Sequence, residues 1–228
     1  LVLVFVNVQL QRDRRLRAQD KELAEKKIAI MLSQIQPHFL YNILGSIEWL
    51  CETNPQKAQE ATDEQALFVG DILATGYWAA DIGEIHPGDS VLLLGAGPTG
   101  LCTLQCVLLK QPGLVVVCEP DPDRRAFVQA HYPQVHVVTP QQAPDFIAAH
   151  CPHGGADVVL EVAGTPDSFR LAWTCARPNA VVTVVALYDQ AQTLPLPQMY
   201  GKNLTFKTGG VDGCHCGEIL SLIAQGKL

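Results

Sequence analysis

A doubly wound parallel α/β sheet, preceded by a long N-terminal helical segment, is the fold this sequence predicts. Three observations carry it. Apolar runs at 90–94, 114–118, 157–162 and 180–187, with a weaker one at 135–138, lack strict alternation, as strands covered on both faces do. Segments of helical length at 99–111, 122–131, 141–150 and 166–176 separate them. A glycine-rich turn, Gly95-Ala96-Gly97-Pro98-Thr99-Gly100, lies between the run 90–94 and the helix after it. With 48% hydrophobic and 17% charged residues, the 228-residue chain is globular in composition, not disordered. A net charge of −7 argues against general nucleic-acid binding. Residues 1–62 hold eight Lys/Arg and seven Asp/Glu, whereas 63–228 hold eight and sixteen. That asymmetry suggests two parts of different origin, 1–62 and 63–228.

Taken in order, the chain opens on Leu1 to Val6, apolar but too short to span a bilayer. Arg12, Arg14, Arg15 and Arg17 follow, so this start reads either as the cytoplasmic edge of a membrane helix or as a frayed apolar end. A first residue that is Leu, not Met, adds to the expectation of a fragment. Residues 9–34 are rich in helix formers and lack Gly and Pro. Leu16, Leu23 and Ile30 recur every seven residues, which suits a helix packed on a partner helix. The seven Lys/Arg between 12 and 27 are better read as a solvated helix face than as a nucleic-acid patch.

Next comes SQIQPHFLYNILGSIEWL, residues 33–50. This text resembles the phosphoacceptor segment of LytS-like sensor histidine kinases, and the resemblance runs from about residue 10 to 62. It implies that His38 is the phosphoacceptor, with Asn42 one helical turn on. Imidazole suits that task, being nucleophilic near neutral pH. No ATP-binding boxes follow, so autophosphorylation by this chain alone is not expected. The face Ile35, Phe39, Leu40, Ile43, Leu44 and Ile47 would drive self-association.

From Asp63 the text changes without a Gly/Ser/Pro-rich linker. His86-Pro87-Gly88-Asp89 forms the turn before the first strand, and Gly95, Gly97 and Gly100 form a dinucleotide fingerprint in the required context. The first glycine allows the tight turn, the second lets backbone approach a pyrophosphate, and the third lets helix and strand pack closely. Pro98 and Thr99 open the helix, whose N-terminal amides would face phosphates. The alternative is a plain glycine turn in another α/β domain. About twenty residues on, Glu119 ends the second strand, where a carboxylate takes ribose hydroxyls and disfavours a 2′-phosphate, hence NAD over NADP. Ala163 and Gly164, after the fourth strand, fall on the nicotinamide side of the crevice of this Rossmann sheet. Thr165-Pro166-Asp167 is a helix start with an N-cap and Pro in the first turn.

The segments DEQALFVGDILATGYWAADIGEIHPGDSVLLLGAGPTGLCTLQ, VVVCEPDPDRRAF and GGADVVLEVAGTPDSF together resemble the cofactor domain of medium-chain, zinc-dependent alcohol dehydrogenases over 63–228. The resemblance implies hydride transfer between an alcohol or polyol and nicotinamide, with a zinc ion polarising the oxygen. It makes Asp71 a zinc ligand, Thr75 a neighbour of the nicotinamide, and Arg124 a basic residue near the ribose. Asp71 also reads as a helix cap, and Arg124 as a solvated arginine. The family's other zinc ligands come from a β-rich domain for which kinase-like text stands here, so zinc retention and alcohol oxidation by this chain alone are not expected. Relatives pair along the last strand, which implies an edge formed by Val182 to Leu187 with the strand after Lys202. A two-component signalling protein and an inactive fusion or assembly chimera are the alternatives. The eight cysteines lie mostly in apolar runs and are expected as free thiols in a cytoplasmic protein. Cys214-His215-Cys216 looks like a metal cluster, but adjacent side chains diverge in regular structure.

Overall fold

The structure, a computed structural model, describes residues 68–211 and 215–228. The 1–62 segment with His38, and Cys214, lie outside the described residues. Helix α1 (Ile72–Ile82) leads into β1 (Ser90–Leu94), α2 (Pro98–Leu109), β2 (Leu114–Cys118), α3 (Pro122–His131) and β3 (His136–Val138). There follow α4 (Ala143–His150), β4 (Ala156–Glu161), α5 (Pro166–Cys175), β5 (Ala176–Val184), α6 (Leu196–Met199), β6 (Thr205–Thr208) and α7 (Cys216–Ala224). The six strands form one parallel sheet in the order β3-β2-β1-β4-β5-β6. The chain works outward from β1 to β3 and then returns beside β1 as β4. Its switch point therefore lies between β1 and β4, where open α/β sheets bind ligands.

The central strands β1, β2 and β4 are largely apolar because both of their faces are covered, whereas the outer β3 and β6 carry exposed polar residues such as His136 and Thr205. All five residues of β1 are buried. Val91 and Leu93 join one core cluster with Leu104 and Val107 of α2, while Leu92 and Leu94 join another with Ile147 of α4 and Ala172 of α5. Successive side chains point to opposite faces, so a doubly covered strand needs an apolar residue at every position. Full burial of each such leucine contributes about 1.5–3 kcal/mol.

Helix starts follow local chemistry. Asp121 caps α3 by accepting from the amides of Asp123 and Arg124, both at 2.9 Å, and those amides, with the neighbouring arginines, hold its carboxyl below the usual range. Thr165 and Ser168 form a reciprocal capping box ahead of α5, and Pro166 occupies its first turn. Helix α1 crosses α2 closely: a Cβ on Gly76 would stand 2.7 Å from the Cys102 carbonyl carbon and the Thr103 nitrogen.

Two expectations need correction. The fifth strand, expected over 180–187, runs from Ala176 to Val184. Its first residues, Ala176-Arg177-Pro178-Asn179, carry no strand pattern. They join through a register shift against Ala156 and Val158, and Arg177 is tied to the Asp157 carboxylate. The expected edge stands in part: β6, the strand after Lys202, carries the open edge on that side among the described residues, whereas β5 is interior, paired with β4 and β6.

Asp157 anchors the opposite end of the sheet from the glycine turn. Its carboxylate accepts from the Ser90 amide at 2.8 Å and the Ser90 hydroxyl at 2.5 Å. Burial alone would raise this carboxyl, but the Ser90 hydrogen bonds and the Arg177 charge outweigh it and lower it. Cys102, Cys106, Cys118, Cys151 and Cys175 are free thiols. Burial pushes Cys106 and Cys118 up to about 12, and Cys102 and Cys175 up to about 11. Among the described residues, no helix is long and apolar enough to cross a membrane.

Candidate functional site

The carboxyl ends of β1, β2 and β4 border a cleft of about 560 Å³, lined among others by Gly95, Gly97, Glu119, Arg124, Ala163 and Thr165. Such a volume suits a small-molecule ligand. The three glycines of the turn meet different constraints. Gly95 has φ +106, and its amide donates to the Cys118 carbonyl at 2.9 Å, which ties the turn to β2. A Cβ on Gly100 would lie 2.3 Å from the Gly95 carbonyl oxygen, closer than any side chain tolerates. A Cβ on Gly97 would meet nothing nearer than the Arg124 Nη1 at 3.9 Å. The missing side chain at 97 thus leaves open space at the N-cap of α2, facing the cleft. Helix N-termini carry partial positive charge and unpaired amides, so this cradle fits a phosphate-bearing group.

Pro98 and Thr99 open α2. Pro98 is exposed at the first position of α2 and has no N–H to offer. The Thr99 carbonyl accepts from the Thr103 hydroxyl at 2.8 Å, within the helix. Neither residue lines the cleft.

Glu119 ends buried at the cleft wall, 2% exposed. Its Oε2 accepts from the Ala96 amide at 2.7 Å, and its Oε1 from the Asp121 amide at 2.9 Å. The carboxylate therefore fastens the glycine turn to the β2–α3 turn. An ionised carboxylate has about four lone-pair sites, so acceptor capacity remains for hydroxyl donors. The Arg124 Nη1 stands 3.9 Å from Oε2, on a side chain 56% exposed. That is a weak pair in solvent, free to turn toward a ligand.

Asp71 and Thr75 do not line this cleft. Asp71 occupies the N-cap position of α1 without a side-chain cap, and its carbonyl accepts from the Thr75 amide at 2.8 Å. The ordinary capping role weighed for Asp71 is therefore not the one it plays. Among the described residues, no group of three or more His, Cys, Asp and Glu side chains could hold a metal ion. Cys216 is buried with its sulfur 3.9 Å from the Val69 carbonyl, and His215 is a left-handed N-cap of α7.

Sequence reasoning missed a second glutamate. Glu161 ends β4 with no exposed surface. Its Oε1 accepts from the amides of Ala163 and Gly164, both at 2.9 Å, and its Oε2 accepts from the Tyr188 hydroxyl at 2.6 Å. Its backbone carbonyl accepts from Val185 and Ala186 at 2.8 and 3.1 Å. Burial, then the Glu161 hydrogen bond, pushes the Tyr188 hydroxyl well above its ordinary range, so it remains a donor at neutral pH. The available signal was one carboxylate inside the apolar run 158–162. Such a group needs partners, whichever they are.

Two family patterns match the chain. The family described as zinc-binding dehydrogenase covers residues 98–221, and that described as histidine kinase covers residues 26–76. A probable zinc-binding alcohol dehydrogenase of Mycobacterium tuberculosis is 34% identical over 140 residues, 60% of this chain and 35% of that protein. An NADP-dependent isopropanol dehydrogenase of Thermoanaerobacter brockii is 25% identical over 150 residues, 64% of this chain and 42% of that one. Among solved structures, an alcohol dehydrogenase from Thermus sp. ATN1 superposes with a TM-score of 0.67 at 28% identity, over 73% of this chain and 50% of that one. The chain thus spans between about a third and a half of the length of these relatives. The switch-point cleft, its glycine turn and the match over 98–221 agree: the chain belongs to the zinc-binding dehydrogenase family.

Proposed function

We propose that the sheet domain binds NAD and serves as the cofactor-holding part of an oxidoreductase acting on an alcohol or polyol. One observation carries this reading: the open cradle at Gly97 faces the same cleft as the Glu119 carboxylate, which is fixed to the turn through Ala96. A pyrophosphate at the α2 N-terminus would put the adenosine ribose beside Glu119. The carboxylate's charge favours ribose hydroxyls over a 2′-phosphate, although the Thermoanaerobacter relative is NADP-dependent and Arg124 stands nearby. Nicotinamide supplies the hydride chemistry; Gly97, Ala96 and Glu119 would bind and orient it. Calorimetric titration of the full chain with NADH and NADPH tests this. The NAD reading expects NADH to bind at least about tenfold tighter. Equal affinity, or preference for NADPH, would remove the cofactor assignment, and binding of neither would remove the reading itself.

A second reading rests on the histidine-kinase match over 26–76, which spans His38. In it, His38 accepts phosphate from a separate kinase. Equal labelling of the wild type and His38→Ala by a phosphodonor kinase would discard that idea. The match overruns the proposed boundary at 62/63 into α1. The close seating of Gly76 on α2 supports assigning α1 to the sheet domain instead. Single-molecule reading of the source DNA across codons 55–70 tests whether the two texts are joined in the gene.

A further inference from the structure

With the adenosine half at the end of β2, the other half of a dinucleotide must extend over the ends of β4 and β5. Two loops stand there, 162–165 and 185–188, and Glu161 is bonded to both. One carboxylate oxygen takes the Ala163 and Gly164 amides, the other takes the Tyr188 hydroxyl, and the Glu161 carbonyl takes the amides of Val185 and Ala186. The loops also touch directly: a Cβ on Gly164 would sit 3.1 Å from the Leu187 carbonyl oxygen. Tyr188 is seated by Phe169 of α5, ring edge to ring face at 6.0 Å between centroids. Ala163, hung from this bond set, lines the cleft and backs onto Gly95.

We propose that Glu161 and Tyr188 form a latch of positioning residues that sets the two loops against the nicotinamide half of the cofactor. The proposal rests on the dinucleotide reading above. Neither side chain lines the cleft. They act by fixing the backbone that does, through a contact spanning 27 residues of chain.

Tyr188→Phe tests it, since the ring and its seat on Phe169 remain and only the hydroxyl leaves. The full chain, wild type and variant, is titrated by calorimetry with NADH and with ADP-ribose, which lacks nicotinamide. Loss of one partly buried hydrogen bond to a carboxylate should raise the NADH dissociation constant about five- to tenfold and leave that of ADP-ribose within about twofold. Glu161→Gln should shift the same ratio in the same direction. A general loss of structure would weaken both ligands together, and that outcome overturns the latch. Unchanged NADH binding by Tyr188→Phe overturns it too. In both cases wild-type binding of the two ligands leaves the dinucleotide reading standing, whereas a wild type that binds neither removes both.

Discussion

Two glutamates stand at the ends of β2 and β4, the strands that flank β1 in the same parallel sheet, and do opposite work. Glu119 and Glu161 each close an apolar strand, are nearly or fully buried, and accept two backbone amides of the turn that follows or adjoins. Glu119 keeps one side toward the cleft, with only a half-exposed Arg124 nearby. Glu161 is sealed by Tyr188 and by the loop after β5. Residue type and strand position are therefore not what makes a carboxylate a ligand site; the identity of its last partner is. A buried charge must be satisfied either by the chain or by something the chain binds.

The sharpest way to break this contrast is steric. Gly100→Ala would force a Cβ into the Gly95 carbonyl, and the turn that carries Glu119's partner cannot yield without leaving the sheet. We expect a loss of about 3 kcal/mol or more in denaturant unfolding. Retention of wild-type stability would show that the turn is softer than its geometry. Glu161→Ala comes next, removing the acceptor shared by two partly buried amides and the Tyr188 hydroxyl, at about 3 kcal/mol or somewhat less by the same measurement. If that variant is no less stable than the wild type, the carboxylate is not what holds the two loops.

Glu119→Gln keeps the shape and removes the charge. It should weaken NADH and ADP-ribose alike, about tenfold, unlike the Glu161 variants, and lower stability by only about 1 kcal/mol, since one oxygen that accepts an amide becomes an NH2. A stability loss matching that of Glu161→Ala would erase the distinction between the two residues. Asp157, at the far end of the sheet, is the control. Its carboxyl is lowered in the folded chain, so its contribution is present above the unfolded value near about 4 and fades as pH falls through the lower folded one. Asp157→Asn should flatten the acid limb of the stability profile and leave NADH affinity alone. An affinity loss there would mean that the two ends of the sheet are coupled. Smallest of all, Arg124→Ala should change NADH affinity by no more than about threefold, because its ion pair is exposed.

Strands were legible where burial on both faces forces an unbroken apolar text, as in Leu92-Leu93-Leu94 or Val115-Val116-Val117. The start of β5 was not, because Arg177 and Pro178 enter the sheet through Asp157 and a register shift, neither of which is local. Half of the site was legible for the same reason. Gly95, Gly97 and Glu119 have fixed spacing around one strand-helix-strand unit, so their relation is written in a short stretch. The Glu161 latch depends on Tyr188, brought close only when β5 lies beside β4. Nothing near residue 161 announces that partner, although a lone carboxylate in an apolar run announces that one must exist.

The three glycines of the turn also have different futures. At 95 and 100 a side chain is refused by the chain's own backbone angle or backbone atoms; at 97 only the space for a bound group refuses it. In a descendant that stopped using a dinucleotide, position 97 would drift freely while 95 and 100 stayed glycine. The pattern of drift across such a lineage would record when ligand selection ended, independently of whether the fold survived.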